Sequence, residues 1–194
     1  MKIQIIGDSL TGSYGVAAGK AWTDFINNKY GEKVQINTYN GYSTTDLLSV
    51  FADDITGFNP DALFLLGGTN DALSLRSASQ ALNNIMLMYE ECERRGIKTT
   101  VILPPLLAPT MASASFGDPI PYYEKSNEML KRLRRLLMDQ SQESSLVVYD
   151  LEPLINSLSG SVKPIFTDGI HFSEFFHEEL YLKFTEKFSI YFNN

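Results

Sequence analysis

Ser9 and His171 form a nucleophile and base pair if the fold brings them together. A serine hydroxyl is a poor nucleophile until a base takes its proton. Histidine is the usual base, because its ordinary titration lies near neutrality. The base also needs an acceptor on its second ring nitrogen to fix its tautomer. Asp168, in the run Asp168-Gly169-Ile170-His171, lies within one turn of chain of the histidine and fits that task. The other histidine, His177, sits beside Glu178 and Glu179 in an amphipathic segment and reads as a surface residue. His171 is therefore the one credible base.

Attack on an acyl carbon makes a tetrahedral oxyanion, which needs hydrogen-bond donors. Three short glycine-bearing runs offer them: Gly7-Asp8-Ser9-Leu10-Thr11-Gly12, Asn40-Gly41-Tyr42-Ser43 and Gly67-Gly68-Thr69-Asn70-Asp71. The candidates are the backbone N–H groups of Ser9 and Gly41 and the side-chain amide of Asn70. Gly41 lets its N–H approach a ligand without interference from a Cβ. A helix N-terminus close behind Ser9 would add further N–H groups. Asp8 is expected to hold its turn through backbone hydrogen bonds, and Asp71 to cap a following turn, so neither is assigned chemistry.

These runs follow short apolar segments, and the elements that must position them can be read from the same pattern. Five candidate strands are Lys2–Ile6, Val34–Tyr39, Ala62–Leu66, Thr99–Leu103 and Leu146–Tyr149, most apolar on successive residues as in a sheet covered on both faces. Amphipathic stretches alternate with them: Trp22, Phe25 and Ile26; Leu47, Leu48, Phe51 and Ile55, opened by Ser43 and Asp46 as a capping box; Ala78, Ala81, Leu82, Ile85 and Tyr89, closed at Gly96. Leu130, Leu133 and Leu137, and then Phe176, Leu180, Phe184 and Phe188, give two more. This is the alternation of βα units around a parallel sheet. Ligands in such sheets bind beyond the carboxyl ends of the strands, where the glycine-bearing runs fall. The longest stretch without a pattern, Pro104–Pro121, follows the fourth strand and is expected to be an irregular loop that helps wall an acyl pocket.

Gly-Asp-Ser-Leu after the first strand, a glycine after the second, Gly-x-Asn-Asp after the third and Asp-x-x-His near the C-terminus together resemble the four blocks of the SGNH, or GDSL-type, serine hydrolases. The resemblance runs from Gly7 to His171, in the family's order. It implies an α/β fold of three layers, flavodoxin-like, with a central parallel sheet of about five strands, as a single domain over residues 1–194. It also implies a triad of Ser9, Asp168 and His171, an oxyanion hole of Ser9, Gly41 and Asn70, and hydrolysis of a carboxylic ester. Met111, Phe116, Pro119 and the alanines and serines of the Pro104–Pro121 stretch suit a short or medium acyl group, which leaves an acetylated sugar, a short-chain carboxylic ester, a thioester and a lysophospholipid open. The stretch after the fourth strand carries no subfamily signature.

Other readings of the same residues are weaker. Ser9 as a helix cap leaves the other blocks unexplained. An FMN-binding protein on this fold would use the loop Ser9–Gly12 for phosphate, but Tyr14 stands where its last hydroxyl belongs, and Asn70 and the Asp168–His171 pair would have no task. No P-loop, dinucleotide or G-x-S-x-G motif occurs. Lys131, Arg132, Arg134 and Arg135 read as a solvated helix face. One cysteine and two histidines make a poor set of metal ligands, so no metal and no cofactor is expected.

Composition sets the outer limits. The 194 residues are 44% hydrophobic and 20% charged, as in an ordinary globular protein. A formal charge of −7 argues against nucleic acid and anionic membranes as partners. No run approaches the roughly 18 apolar residues of a membrane span. Cys92 has no partner for an internal disulfide, and the N-terminus is too short in apolar residues for a signal-peptide core, so a cytoplasmic location is expected. The expected partner is a small ester, and a homo-oligomer is left open.

Overall fold

The computed structural model describes residues 1–192. Its elements are β1 (Ile3–Gly7), α1 (Trp22–Tyr30), β2 (Val34–Thr38), α2 (Thr44–Phe58), β3 (Ala62–Leu66), α3 (Thr69–Leu73), α4 (Ala78–Arg95) and β4 (Lys98–Leu103). They continue with α5 (Pro109–Phe116), α6 (Ile120–Glu143), β5 (Val147–Asp150), α7 (Glu152–Leu158), α8 (Glu174–Lys187) and α9 (Ser189–Phe192). The strands form one parallel sheet in the order β2-β1-β3-β4-β5. All five lie within two residues of the boundaries expected from the apolar runs.

Side chains alternate across the sheet, and both faces are covered. On β3, Leu63 and Leu65 pack with Leu47 of α2, Ile85 of α4 and Leu133 of α6. Phe64 and Leu66 face the other way, toward Trp22 of α1 and Phe176 and Phe184 of α8. This three-layer α/β/α arrangement explains why every residue of β1 and β3 is buried, whereas the edge strand β2 carries the half-buried Gln35 and Asn37. The chain leaves β1 toward β2 on one side and returns to β3 on the other. The order therefore reverses between β1 and β3, which is where a crevice opens in such sheets.

Three local expectations are corrected. The Pro104–Pro121 stretch is not a plain loop, because it contains α5. The signals for that helix were present: Pro109 sits at its first position, and Gly117 ends it with φ +88°. The short α3 and α7 were likewise not anticipated. Arg134 does not belong to a solvated face. It is buried, donates Nη1 to the Pro104 carbonyl at 2.9 Å and pairs Nη2 with Asp150 at 2.6 Å, so it ties the exit of β4 to the end of β5.

His177 is the third correction. It is buried, 1% exposed, beneath the N-terminus of α1. Its Nδ1 accepts the backbone N–H of Trp22 at 3.2 Å, one of the N–H groups that the first turn of a helix leaves without an internal partner. The Trp22 indole N–H reaches the Leu10 carbonyl at 3.1 Å, so His177 supports the turn after β1 indirectly. Phe172 and the neighbouring core of α8 make that site dry. A helix pattern with acidic neighbours does not tell which face a histidine takes, and here it takes the inner one.

Burial, with a smaller contribution from the charge of His171, pushes the His177 titration down to about 4. The folded state thus holds its proton less well than the unfolded chain. Its contribution to stability is present above the ordinary histidine value and is lost as pH falls through about 4. Melting temperatures between pH 7.5 and 4.5 should fall toward acid in the native protein. In His177→Asn, whose Oδ1 can accept the same N–H, the fall should be shallower by the equivalent of roughly 2–3 kcal/mol. Parallel curves for the two proteins would show that His177 has no such role.

Candidate active site

The turn after β1 delivers Ser9. Asp8 shapes it by accepting the Leu10 N–H on Oδ1 at 3.0 Å, and the Thr11 N–H returns to the Asp8 carbonyl at 3.0 Å. No helix starts at Ser9: the chain continues in turns until α1 begins at Trp22. The expected helix N-terminus behind the serine is therefore absent, and the Ser9 N–H itself is the available donor. Of the other hydroxyls in this loop, that of Thr11 is buried with no hydrogen-bond partner, so it is not presented to an outside phosphate.

His171 comes from the loop before α8, and its position is set by a compact knot. Asp168 Oδ1 accepts the N–H groups of Ile170 at 2.9 Å and His171 at 2.7 Å. Its Oδ2 faces His171 Nδ1 at 2.7 Å. The opposite ring nitrogen, Nε2, lies 3.0 Å from Ser9 Oγ. Burial opposes the negative charge on Asp168. The His171 N–H, the His171 ring and the Ile170 N–H outweigh that penalty and hold its carboxyl below the ordinary aspartate value. The carboxylate is thus ionised at neutral pH, with Nδ1 as donor to it and Nε2 free to accept from the serine.

Gly169 makes this knot possible. It lies at φ +91°, and a Cβ there would meet the Ala112 nitrogen at 2.3 Å and the Ala108 carbonyl at 2.8 Å. The absence of a side chain lets the start of α5 lie directly on the histidine loop, where the Ala108 N–H donates to the Gly169 carbonyl at 2.8 Å. The segment leading into α5 is itself pinned. The Asn127 amide makes two bonds to the Leu107 backbone, at 2.7 and 3.0 Å, and Glu152 accepts the Leu106 N–H at 2.9 Å.

The remaining expected donors stand at the same edge. Gly41 adopts φ +79°, and neither its N–H nor that of Ser9 has a hydrogen-bond partner among the described residues. Asn70, on α3, donates Nδ2 to the Tyr42 carbonyl at 3.0 Å. This bond orients the amide and uses one of its two hydrogens, leaving the second for a ligand. Asp71 does not cap its own turn. It accepts the N–H of Thr44 at 2.7 Å and its hydroxyl at 2.8 Å, and so fastens α3 to the start of α2. Ser43 and Asp46 make the backbone half of the expected capping box, with Ser43 N–H to Asp46 at 3.0 Å. Ser9, Gly41, Asn70 and His171 all line one open cleft of about 300 Å³.

Tyr14, Asp118, Tyr122 and Tyr123 also line the cleft, and the sequence gives none of them a place in the site. The Tyr14 ring lies tilted against His171, with ring centroids 4.1 Å apart and planes at 38°. Phe116 and Asp118, from the end of α5, form part of the wall with Tyr122 and Tyr123 of α6. The stretch after β4 thus contributes Phe116 and Asp118 to the wall of the cleft.

A parallel sheet with this order, carrying a hydroxyl–imidazole–carboxylate chain where the order reverses, is the arrangement of the SGNH hydrolases. The chain belongs to the GDSL-like lipase/acylhydrolase family, whose model matches residues 5–178, and it is an ester-hydrolysing enzyme. Solved structures with the same fold include a member of the lipolytic G-D-S-L family from Veillonella parvula, 20% identical, with a TM-score of 0.77 over 97% of this chain and 98% of that one. A carbohydrate acetylesterase family member from Sinorhizobium meliloti is 19% identical, with a TM-score of 0.72 over 100% of both chains. The psychrotrophic esterase EstA from Pseudoalteromonas, in a structure inhibited by monoethylphosphonate, is 16% identical, with a TM-score of 0.67 over 100% of this chain and 99% of that one. No curated protein matches the sequence. Among the described residues, no helix is long and apolar enough to cross a membrane.

One buried group beside the site has a cost that can be measured. Asp8 is fully buried, and its Oδ2 has no hydrogen-bond partner. Burial pushes its carboxyl up to about 7, with the Leu10 N–H pulling down and the nearby charge of Asp71 pushing up. The folded state therefore holds this proton more tightly than the unfolded chain. The associated stability is full below about 3.8 and is lost as pH rises through about 7. Asp8→Asn keeps the acceptor for Leu10 and removes the charge. Its melting temperature relative to the native protein should rise between pH 5 and pH 8.5, by on the order of 5 °C. A constant difference across that range would refute the burial cost.

Proposed function

We propose that the whole chain works as one SGNH-type hydrolase domain that cleaves carboxylic esters through an acyl-enzyme on Ser9. The observation that carries this reading is the unbroken chain from Ser9 Oγ to His171 Nε2, at 3.0 Å, and from His171 Nδ1 to Asp168, at 2.7 Å, opening onto a cleft. His171 takes the Ser9 proton as the oxygen attacks the acyl carbon, and Asp168 stabilises the imidazolium that forms. The tetrahedral oxyanion takes hydrogen bonds from the Ser9 and Gly41 N–H groups and from the Asn70 amide. Collapse expels the alcohol, which receives the proton from His171. Water then attacks the acyl-enzyme with His171 again as base, and the carboxylic acid leaves.

A cleft of about 300 Å³ suits a short or medium acyl ester. Acetyl groups on carbohydrates belong in this range, and the likeness to an acetylesterase of that kind makes them the first substrates to try.

Labelling with an alkyl phosphonate, followed by peptide mass spectrometry, should find the adduct on Ser9 alone, and Ser9→Ala should neither be labelled nor turn over a p-nitrophenyl ester. Labelling elsewhere, or an active Ser9→Ala, overturns the mechanism. Asn70→Ala should reduce kcat by roughly 10²–10³-fold with little change in KM, because its second N–H meets full charge only in the transition state and intermediate. A normal kcat with a lowered melting temperature would make Asn70 a turn residue that holds Tyr42, and the oxyanion would have only backbone donors.

A further inference from the structure

The cleft has a chemical asymmetry that ester hydrolysis itself does not require. No lysine or arginine lines it, yet one carboxylate, that of Asp118, does. Asp118 sits just before α6, where the usual task of an aspartate is to cap the helix. It does not do so, because the capping position is Pro119 and no side chain bonds the first-turn N–H groups. Asp118 forms no ion pair among the described residues; its one polar contact is the Tyr123 hydroxyl at 3.4 Å. Burial, reinforced by Asp118, pushes the Tyr123 titration up, so that hydroxyl remains a proton donor toward the carboxylate.

Aromatic side chains line the same wall of the cleft as this charge. Phe116 is 46% exposed, and the Gly117 turn at φ +88° sets it and Asp118 on the same wall. Tyr122 stands edge-on to Tyr123, with centroids 5.1 Å apart, and its hydroxyl is held by the Leu73 carbonyl, which fixes the ring at the cleft. A carboxylate beside tyrosine and phenylalanine rings is the donor set that recognises an alkylated ammonium ion. The rings supply their negative faces and the carboxylate supplies the countercharge. An anionic substrate would meet Asp118 with no cation to offset it.

We propose that the wall formed by Phe116, Asp118 and Tyr122 is a cation subsite, and that the preferred ester carries a positively charged alkylammonium group. The inference rests on Ser9 being the acyl-accepting residue of the same cleft. The long-range field agrees with it, since a chain of net charge −7 draws cations rather than anions.

A matched pair of esters tests the proposal. Acetylcholine and 3,3-dimethylbutyl acetate have nearly the same shape and differ in whether the tert-alkyl centre is a charged nitrogen or a carbon. Followed by pH-stat at fixed ionic strength, kcat/KM should favour acetylcholine by about tenfold, mostly through KM, and added salt should narrow the difference. In Asp118→Asn the ratio should fall to about one. Choline chloride should also raise the melting temperature of the native protein above that in equal sodium chloride, and should not do so in Asp118→Asn. Equal use of the two esters, preference for the neutral one, or no thermal shift with choline overturns the cation subsite while leaving ester hydrolysis intact. If neither ester is cleaved but choline stabilises the protein through Asp118, the subsite stands and the acyl-enzyme reading takes the failure.

Discussion

The structure depends on bringing a hydroxyl from the turn after the first strand and an imidazole from the loop before α8 to 3.0 Å across 162 residues of chain. A hydrogen bond contributes only about 1 kcal/mol net and cannot hold two distant loops in register by itself. Covalent nearness fixes only half of the arrangement. Asp168 is three residues from His171 and orients it by using one oxygen for two backbone N–H groups and the other for the ring. Everything else that sets the distance is packing. The sheet carries Ser9, and α8 anchors the histidine loop through Ser173, whose hydroxyl donates to the Pro164 carbonyl at 2.6 Å and accepts the Phe176 N–H at 3.2 Å. From the opposite side, α5 presses on Gly169 closely enough to exclude any side chain.

That precision has a cost, and the cost is concentrated around the same residues. Asp8 gives one oxygen to the turn that presents Ser9 and leaves the other buried without a partner. His177 is held uncharged so that it can accept the first N–H of α1. The two titrate in opposite senses. Acid removes the benefit of the uncharged histidine, whereas alkali removes the benefit of the protonated aspartic acid. Their combined effect favours an intermediate pH, where His177 is neutral and Asp8 still carries some of its proton. Both act on one connection of the fold, the turn from β1 to α1: Asp8 lies in it, and His177 reaches its far end from α8, where the Trp22 indole also braces it through Leu10.

How much of this could be read in advance follows from the range of the interactions. The five strands, the major helical stripes and the residues just past the strand ends are local in sequence, and a short-period pattern plus a few glycines locates them. Ser9, Gly41, Asn70, Asp168 and His171 were each assigned from that local context, and the fold gathers all of them except Asp168 onto one cleft, with Asp168 behind His171. The errors arose where a partner far along the chain decides the outcome. A histidine among glutamates reads as surface until Trp22 claims its nitrogen. An arginine in a basic run reads as solvated until Pro104 and Asp150 take its guanidinium. Tyr14 reads only as a missing threonine until His171 arrives beneath its ring. The helix α5 is a different kind of omission. Its proline start and glycine end are local signals, but only Ala112 of its residues is buried, so it carries no apolar stripe that would mark it as a helix.

The same distinction divides chemistry from selectivity. The groups proposed to handle the proton and the oxyanion sit in the turns just past β1 and β2, on the short α3 after β3 and in the loop before α8. The groups that would meet the rest of the substrate come from α5 and α6, which reach the cleft through a connection of the β4 exit that no strand stabilises. That connection is ordered by side chains instead: Arg134, Asn127 and Glu152 each bond its backbone. A change in Phe116, Asp118 or Tyr122 would alter what enters the cleft without touching the sheet. A change in Asn127 or Arg134 would remove bonds that hold the segment leading into α5, the helix that lies directly on Gly169 beside His171. Substrate choice and base alignment are therefore coupled through one segment. A residue as far from the reacting atoms as Arg134 can affect the rate by allowing α5 to move.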